Sequence, residues 1–185
     1  MITENLPPLH LSCSTDRLRP AFMNVFIDGE YGVTTTGHVL VKCKLDMIDS
    51  EVLKAINGFQ IPAKTWQLWC SKEAISFQYL DGKPFVLTTY GLIQILDKTD
   101  TRFPEYRKSI ENIKGDGIAK FGMDPNILAL ALKSVGATRC NIQTFTKNQG
   151  FFVSPLFCDF EAEILFMPMM TSEEELVKPF EIINK

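Results

Sequence analysis

Val25-Phe26-Ile27-Asp28-Gly29-Glu30-Tyr31-Gly32-Val33-Thr34-Thr35-Thr36-Gly37-His38-Val39-Leu40-Val41-Lys42-Cys43-Lys44-Leu45 is the stretch that decides the fold. Residues 25–34 read as a hairpin, because Asp28-Gly29 supplies turn chemistry between two strand-like runs. From His38 to Leu45 apolar and polar residues alternate, with Val39, Val41, Cys43 and Leu45 on one side. That is the period of a half-buried strand. Thr35-Thr36-Gly37-His38 between them reads as a turn, with His38 satisfied by backbone in the simplest reading.

Outward from this stretch the chain continues mostly as strands. Ala74–Leu80, Phe85–Thr89 and Leu92–Leu96 are short strands punctuated by Asp81-Gly82-Lys83-Pro84 and Tyr90-Gly91. Asn141–Thr146, Phe151–Pro155 and Phe160–Met167 follow later. Two segments read as helices. Residues 61–70 place Pro62 at the first helical position, where a missing N–H costs nothing. Residues 124–136 have Asp124 as N-cap, Pro125 behind it and Gly136 as the stop. Phe59-Gln60-Ile61-Pro62 enters the first helix much as Phe121-Gly122-Met123-Asp124-Pro125 enters the second, at an offset of about 62 residues. The spacing predicts repeated strand-helix-strand units: 59–112, 113–170, and a partial unit at 9–58 that has strands but no convincing helix. Together they make one domain over residues 1–170, with 171–185 as an appended tail. The fold class is α+β, two helices on antiparallel sheet.

The composition is that of an ordinary globular domain, 45% apolar and 22% charged. No run approaches the roughly 18 apolar residues of a membrane span. The start lacks the basic and apolar regions of a signal peptide, so the expected location is the cytoplasm. Five cysteines without a Cys-x-x-Cys pair argue against both a disulfide framework and structural zinc. Nineteen Lys plus Arg against 22 Asp plus Glu give a net charge of −3, which removes the strongly basic signature of many nucleic-acid binders. A local basic face remains compatible with that balance. Only His10 and His38 offer imidazoles, and neither a phosphate-cradling Gly-x-x-x-x-Gly-Lys loop nor a Rossmann glycine pattern occurs. No triad or paired-carboxylate arrangement can be assembled. The expectation is a protein without catalytic residues, metal or cofactor.

Four separated segments, taken together, resemble one family. Thr35-Thr36-Gly37-His38-Val39-Leu40 is similar to the Ala-Thr-Asp-Gly-His-Arg-Leu signature of the bacterial sliding clamp, the beta subunit of the replicative DNA polymerase. Leu18-Arg19-Pro20-Ala21-Phe22-Met23-Asn24-Val25 resembles its Arg-Pro-x-Leu-x-Gly-Val stretch. Arg102-Phe103-Pro104-Glu105-Tyr106-Arg107 resembles its Arg-Phe-Pro-Asp-Tyr linker, and Ile164-Leu165-Phe166-Met167-Pro168-Met169 its C-terminal Val-Val-Met-Pro-Met-Arg-Leu. The segments occur in the family's order over roughly residues 9–169. Against a full clamp the first domain and the first half of the third have no counterpart. What stands here resembles a shortened second domain joined to the last half of the third. Thr36 replaces a family Asp, and Val39 and Met170 replace family Arg residues.

The resemblance implies a non-enzymatic accessory of DNA replication, a processivity factor that contacts duplex DNA without reading its sequence. It also implies a pocket that takes peptides of DNA polymerase and other clients. Carried over by motif, that pocket comprises Phe22, Thr35, Gly37, His38, Leu40, Pro104, Leu165, Met167, Pro168 and Met169. Leu, Met and Pro make an adaptable apolar trough, and Gly37 permits close backbone approach. DNA would meet the helices through Lys64 and Gln67 of the first, with Lys72 just beyond it, and through Asn126 and Lys133 of the second, with Arg139 after it. Several copies arranged head to tail would close a ring. The alternative is a clamp-derived interaction module or decoy that modulates polymerase recruitment without gripping DNA. In the tail, Glu174-Glu175-Leu176-Val177-Lys178-Pro179-Phe180 loosely resembles the clamp-binding pattern Gln-x-x-Leu-x-Phe.

Overall fold

The computed structural model describes residues 6–71, 75–80, 83–88, 93–95, 101–111, 123–143 and 150–167. A 3-10 turn at Leu9–Ser12 and another at Pro20–Met23 precede the first strands. Then come β1 (Asn24–Asp28), β2 (Tyr31–Thr35), β3 (Val39–Lys44), α1 (Ser50–Ala55), β4 (Gln60–Pro62) and α2 (Ala63–Cys70). The chain continues through β5 (Ile75–Leu80), β6 (Lys83–Thr88), β7 (Ile93–Ile95), α3 (Tyr106–Glu111) and α4 (Pro125–Lys133). It finishes with β8 (Arg139–Gln143), β9 (Phe151–Leu156) and β10 (Ala162–Phe166).

Seven strands form one antiparallel sheet in the order β4-β1-β2-β3-β10-β9-β8, and β5-β6-β7 form a separate meander. The expected hairpin turns at Gly29, whose φ of +63° is a conformation glycine adopts without strain. The long-range join is β3 with β10. Val39 pairs with Phe166, Leu40 with Leu165, Val41 with Ile164 and Cys43 with Ala162. Lys42–Glu163 and Lys44–Glu161 ion pairs at 3.0 and 3.3 Å lie across the same two strands. Being exposed, they favour this register more than they add stability.

Period-2 alternation sends Val25, Ile27, Val39, Val41, Cys43, Val153, Ile164 and Phe166 to one face, where the main core sits. Phe151 and Phe166 stack there with centroids 5.5 Å apart. The helices α2 and α4 cover this face, as expected, but they are not the whole covering. Both pack on the Leu9–Ser12 turn. Trp66 donates its indole N–H to the Pro7 carbonyl at 2.8 Å, and Ser12 donates to Ser134 Oγ at 3.0 Å. The opening piece, read as strands alone, therefore contributes a buried turn that both helices share. It also contributes α1, started by Asp49 accepting from the Glu51 N–H. At the end of α4 Gly136 takes φ +66°, and a Cβ there would collide with the Asp159 carboxylate.

The opposite face carries a smaller core. Residues 101–111 lie over it as a strap: Gln60 donates to the Thr101 carbonyl, and Phe103 stacks on Phe26 at 4.8 Å. Phe103 and Tyr106 pack with Val33, Leu40 and Leu165. Tyr106 donates to Asp28, and Arg107 reaches the same carboxylate with two bonds from Nη2 at 2.6 and 2.7 Å. Burial pushes the Asp28 carboxyl up, but the hydrogen bonds from Arg107 and Tyr106 and the charges of Arg107 and Lys42 outweigh it. Its pKa ends below the usual carboxylate range, so the unfolded chain binds the proton more readily than the folded one. The clasp's contribution is then complete above the unfolded value near 3.9 and is lost as pH falls through the lower folded value. Acid titration of thermal stability is expected to show that loss in the wild type. In Asp28→Asn the part due to this carboxylate should disappear, and an unchanged acid slope would sink the assignment.

Candidate functional site

The site forms where β3 begins and β10 ends. Thr35 Oγ1 accepts the Gly37 N–H at 3.0 Å and donates to the Val39 carbonyl at 2.7 Å. Thr36 Oγ1 accepts from the N–H groups of His38 and Val39, each at 3.3 Å. These bonds fold residues 35–39 into a tight bend whose apex, Gly37, has φ +93°. A Cβ at Gly37 would stand 2.8 Å from Arg19 Nη1 and 3.3 Å from the Phe22 ring. Glycine is thus favoured by conformation, whereas the exposed Arg19 guanidinium could move aside for a Cβ. Arg19 in turn lies over the Phe22 ring, 5.7 Å from its centroid.

The decisive contact joins distant parts of the chain. The Met167 N–H donates to the His38 carbonyl at 2.7 Å, extending the β3–β10 ladder by one bond beyond Phe166. His38 is exposed and Met167 is 43% exposed, so both side chains are open to solvent. Phe22, Thr35, Gly37, His38 and Met167 are therefore one neighbourhood. Leu40 and Leu165 pair beside it but are buried under Phe103, at 8% and 3% exposure. The strap at 101–111 covers both of these residues, which the motif carry-over assigns to the pocket. Pro104 follows Phe103 in that strap and is half-buried. Pro168 and Met169 lie outside the described residues.

No protein-family model and no curated protein matches this sequence. Solved structures do. The DNA polymerase III beta subunit from Borrelia burgdorferi, solved with a natural product, aligns at a TM-score of 0.56 and 16% identity, covering 87% of this chain and 60% of that one. The Bacillus subtilis sliding clamp gives 0.55 and 14% over 93% of this chain and 66% of that one. The Thermotoga maritima beta subunit gives 0.56 and 12% over 87% and 61%. This chain has the fold of the bacterial DNA sliding clamps. It spans less than two thirds of the length of these three clamps.

In this clamp fold the helix faces carry part of the cationic set read from the sequence. On α2, Lys64 and Gln67 are exposed; on α4, Asn126 and Lys133 are. Leu68 at 58% and Leu130 at 42% are exposed on these helices too. Arg139, after α4, opens β8, with its guanidinium 5.4 Å from the centre of the Phe157 ring. Lys72 lies outside the described residues. No helix among the described residues is long and apolar enough to cross a membrane. No cluster of three His, Cys, Asp or Glu side chains among them is placed to hold a metal ion.

One feature escaped the sequence reading. A cavity of about 590 Å³ opens between the Leu9–Ser12 turn, the loop to Arg19, the His38 bend and α4. His10, Arg19, Thr36 and His38 line it with Val39, Ile127 and Leu130, so both histidines of the chain meet there. Burial holds the His10 imidazole below its usual range, favouring the neutral ring. Its Nδ1 is buried without a hydrogen-bond partner. No spacing in the sequence links His10 to His38, since the sheet and the turn bring them together.

Proposed function

We propose that this chain is a clamp-type accessory of DNA replication that receives client peptides at the Gly37–His38 bend and the Met167 end of β10. The supporting observation is the 2.7 Å bond from the Met167 N–H to the His38 carbonyl, which seats two motif segments side by side. Fold alone does not confer function, and the reading rests on this site. Phe22 and Met167 supply adaptable apolar surface, and His38 and the bend's backbone orient a peptide's polar groups. Pro168 and Met169 would complete the slot.

A peptide Gln-Ala-Ala-Leu-Ala-Phe is expected to bind the wild-type chain and to lose about tenfold in affinity, ~1.4 kcal/mol, on Met167→Ala. Calorimetric titration checks this; equal weak signals from both proteins would abandon the slot.

Duplex DNA is the second proposed partner, held through Lys64, Gln67, Asn126 and Lys133 without base readout. The exposed Leu68 and Leu130 on the same helices favour the other reading, an interaction module that does not grip DNA. Solution mass separates the two, a closed multi-subunit ring supporting the first and a monomer the second. Salt-dependent DNA binding whose log–log slope falls by about 2 in Lys64→Ala/Lys133→Ala would support DNA contact.

A further inference from the structure

The seven-stranded sheet ends on two unlike edges, β4 and β8. β4 has three residues and closes on Pro62. A strand so short, with proline at its end, offers little to an incoming chain. β8 is the reverse. Its five residues, Arg139-Cys140-Asn141-Ile142-Gln143, include neither proline nor lysine, and among the described residues it pairs only with β9. Alternate backbone N–H and C=O groups therefore face outward along its free side, a template for a further strand. Apolar surface collects at the same edge. Ile142 is 42% exposed, although its register partner Val153 and its same-face neighbour Cys140 both pack in the main core. Phe157, whose ring lies beside the Arg139 guanidinium, is 75% exposed and takes φ +51°, a conformation that bulky residues rarely adopt.

We infer that β8 pairs antiparallel with β8 of a second copy of this chain, about a two-fold axis at Asn141. The strand itself selects this occupant. A two-fold axis that relates antiparallel neighbours stands perpendicular to the sheet, so both copies turn their main cores to the same side and only residues of like face are opposed. Centred on Asn141, Arg139 meets Gln143 of the second copy, Asn141 meets its own equivalent, and Cys140 meets Ile142. Polar side chains thus oppose polar ones, apolar oppose apolar, and the one charge of the strand meets a neutral amide. This is also the register that keeps all five residues of both strands paired. The pairing uses one edge of each chain twice and stops at two copies, whereas a head-to-tail ring needs two different edges of every chain. One short strand makes a small seam, so the association belongs to the weak, reversible class. None of this rests on the client slot.

Sedimentation equilibrium of the full chain, from micromolar to millimolar concentration, checks this. The mass is expected to rise reversibly to that of two chains and no further. Ile142→Lys places a charge at the seam, twice by symmetry, and should weaken association at least tenfold. Because the Ile142 side chain is exposed, the urea midpoint of the dilute protein should hold. Cross-linking with a mild oxidant reads the register. Asn141→Cys sets two thiols opposite each other across the axis, within disulfide reach. It should form covalent dimer at least tenfold faster than Gln143→Cys, whose two thiols would stand about 13 Å apart. The wild type, which carries Cys140, supplies the background rate. A monomer at every concentration, a mass that continues past two chains, association untouched by Ile142→Lys, or equal cross-linking of the two cysteine variants overturns the inference. None of these readouts involves the Gln-Ala-Ala-Leu-Ala-Phe peptide, so the client reading stands or falls separately.

Discussion

Replacing Trp66 by Ala is expected to destabilise the protein by about 4 kcal/mol, near the upper end for deletion of a buried large side chain. Trp66 is fully buried, lies 5.7 Å from Trp69 between ring centres, and holds the Pro7 carbonyl through its indole N–H. The substitution leaves a cavity under α2 and strands a buried acceptor at the same time. Leu9, itself fully buried, loses the helix that covers its turn. A domain of this size has about 5–15 kcal/mol in all, so the variant should sit close to its unfolding threshold. Urea titration followed by circular dichroism measures the change. Trp66→Phe, which keeps most of the ring but loses the N–H, should cost about 1–3 kcal/mol. A midpoint for Trp66→Ala equal to that of the wild type would show that the 6–12 segment is not anchored by α2.

Phe166→Ala is expected to have a comparable cost, about 3–5 kcal/mol, and to remove peptide binding as well. Phe166 is 2% exposed, stacks on Phe151 in the core, and pairs with Val39 across the β3–β10 join. It is also the residue before Met167, so loosening it frees the bond to His38 on which the site depends. Ile142→Ala, on the exposed edge strand β8, serves as the comparison and should stay within about 0.5 kcal/mol of wild type. The informative result is the pairing of effects: stability and peptide affinity lost together in Phe166→Ala, neither in Ile142→Ala. Retention of full affinity in folded Phe166→Ala protein would detach the site from the β3–β10 join.

Local patterns were readable wherever physics acts over a few residues. Alternation from Val39 to Cys43 predicts β3, Asp28-Gly29 predicts the hairpin, and Asp124-Pro125 predicts the start of α4, which ends at Lys133, three residues before the expected stop at Gly136. Elements too short to show a period were not readable. The six-residue α1 offers under two turns, and the Leu9–Ser12 turn has only four residues, so neither imposes a pattern that outweighs neighbouring signals. Arg102-Phe103-Pro104-Glu105-Tyr106-Arg107 is recognisable as a segment from its residues, but that its Phe103 and Tyr106 pack on Leu40 and Leu165 is not. Nothing in the order of residues says which face of a strand a distant aromatic will cover.

From the residues alone follow the antiparallel α+β class, the two longer helices, the Asp124 cap of α4 and the four segments that resemble a clamp; Pro62, expected as the first helical residue, instead ends β4 and immediately precedes α2. Their meeting is a property of the folded molecule. Strand pairing between residues near 40 and residues near 165 depends on closing a long loop, and short-range propensity carries no information about which distant edge is chosen. Once β10 joins β3, the His38 bend, the end of the sheet and the histidine-lined cavity are neighbours by geometry, and the strap held by Asp28 buries Leu40 and Leu165 while leaving His38 and Met167 exposed.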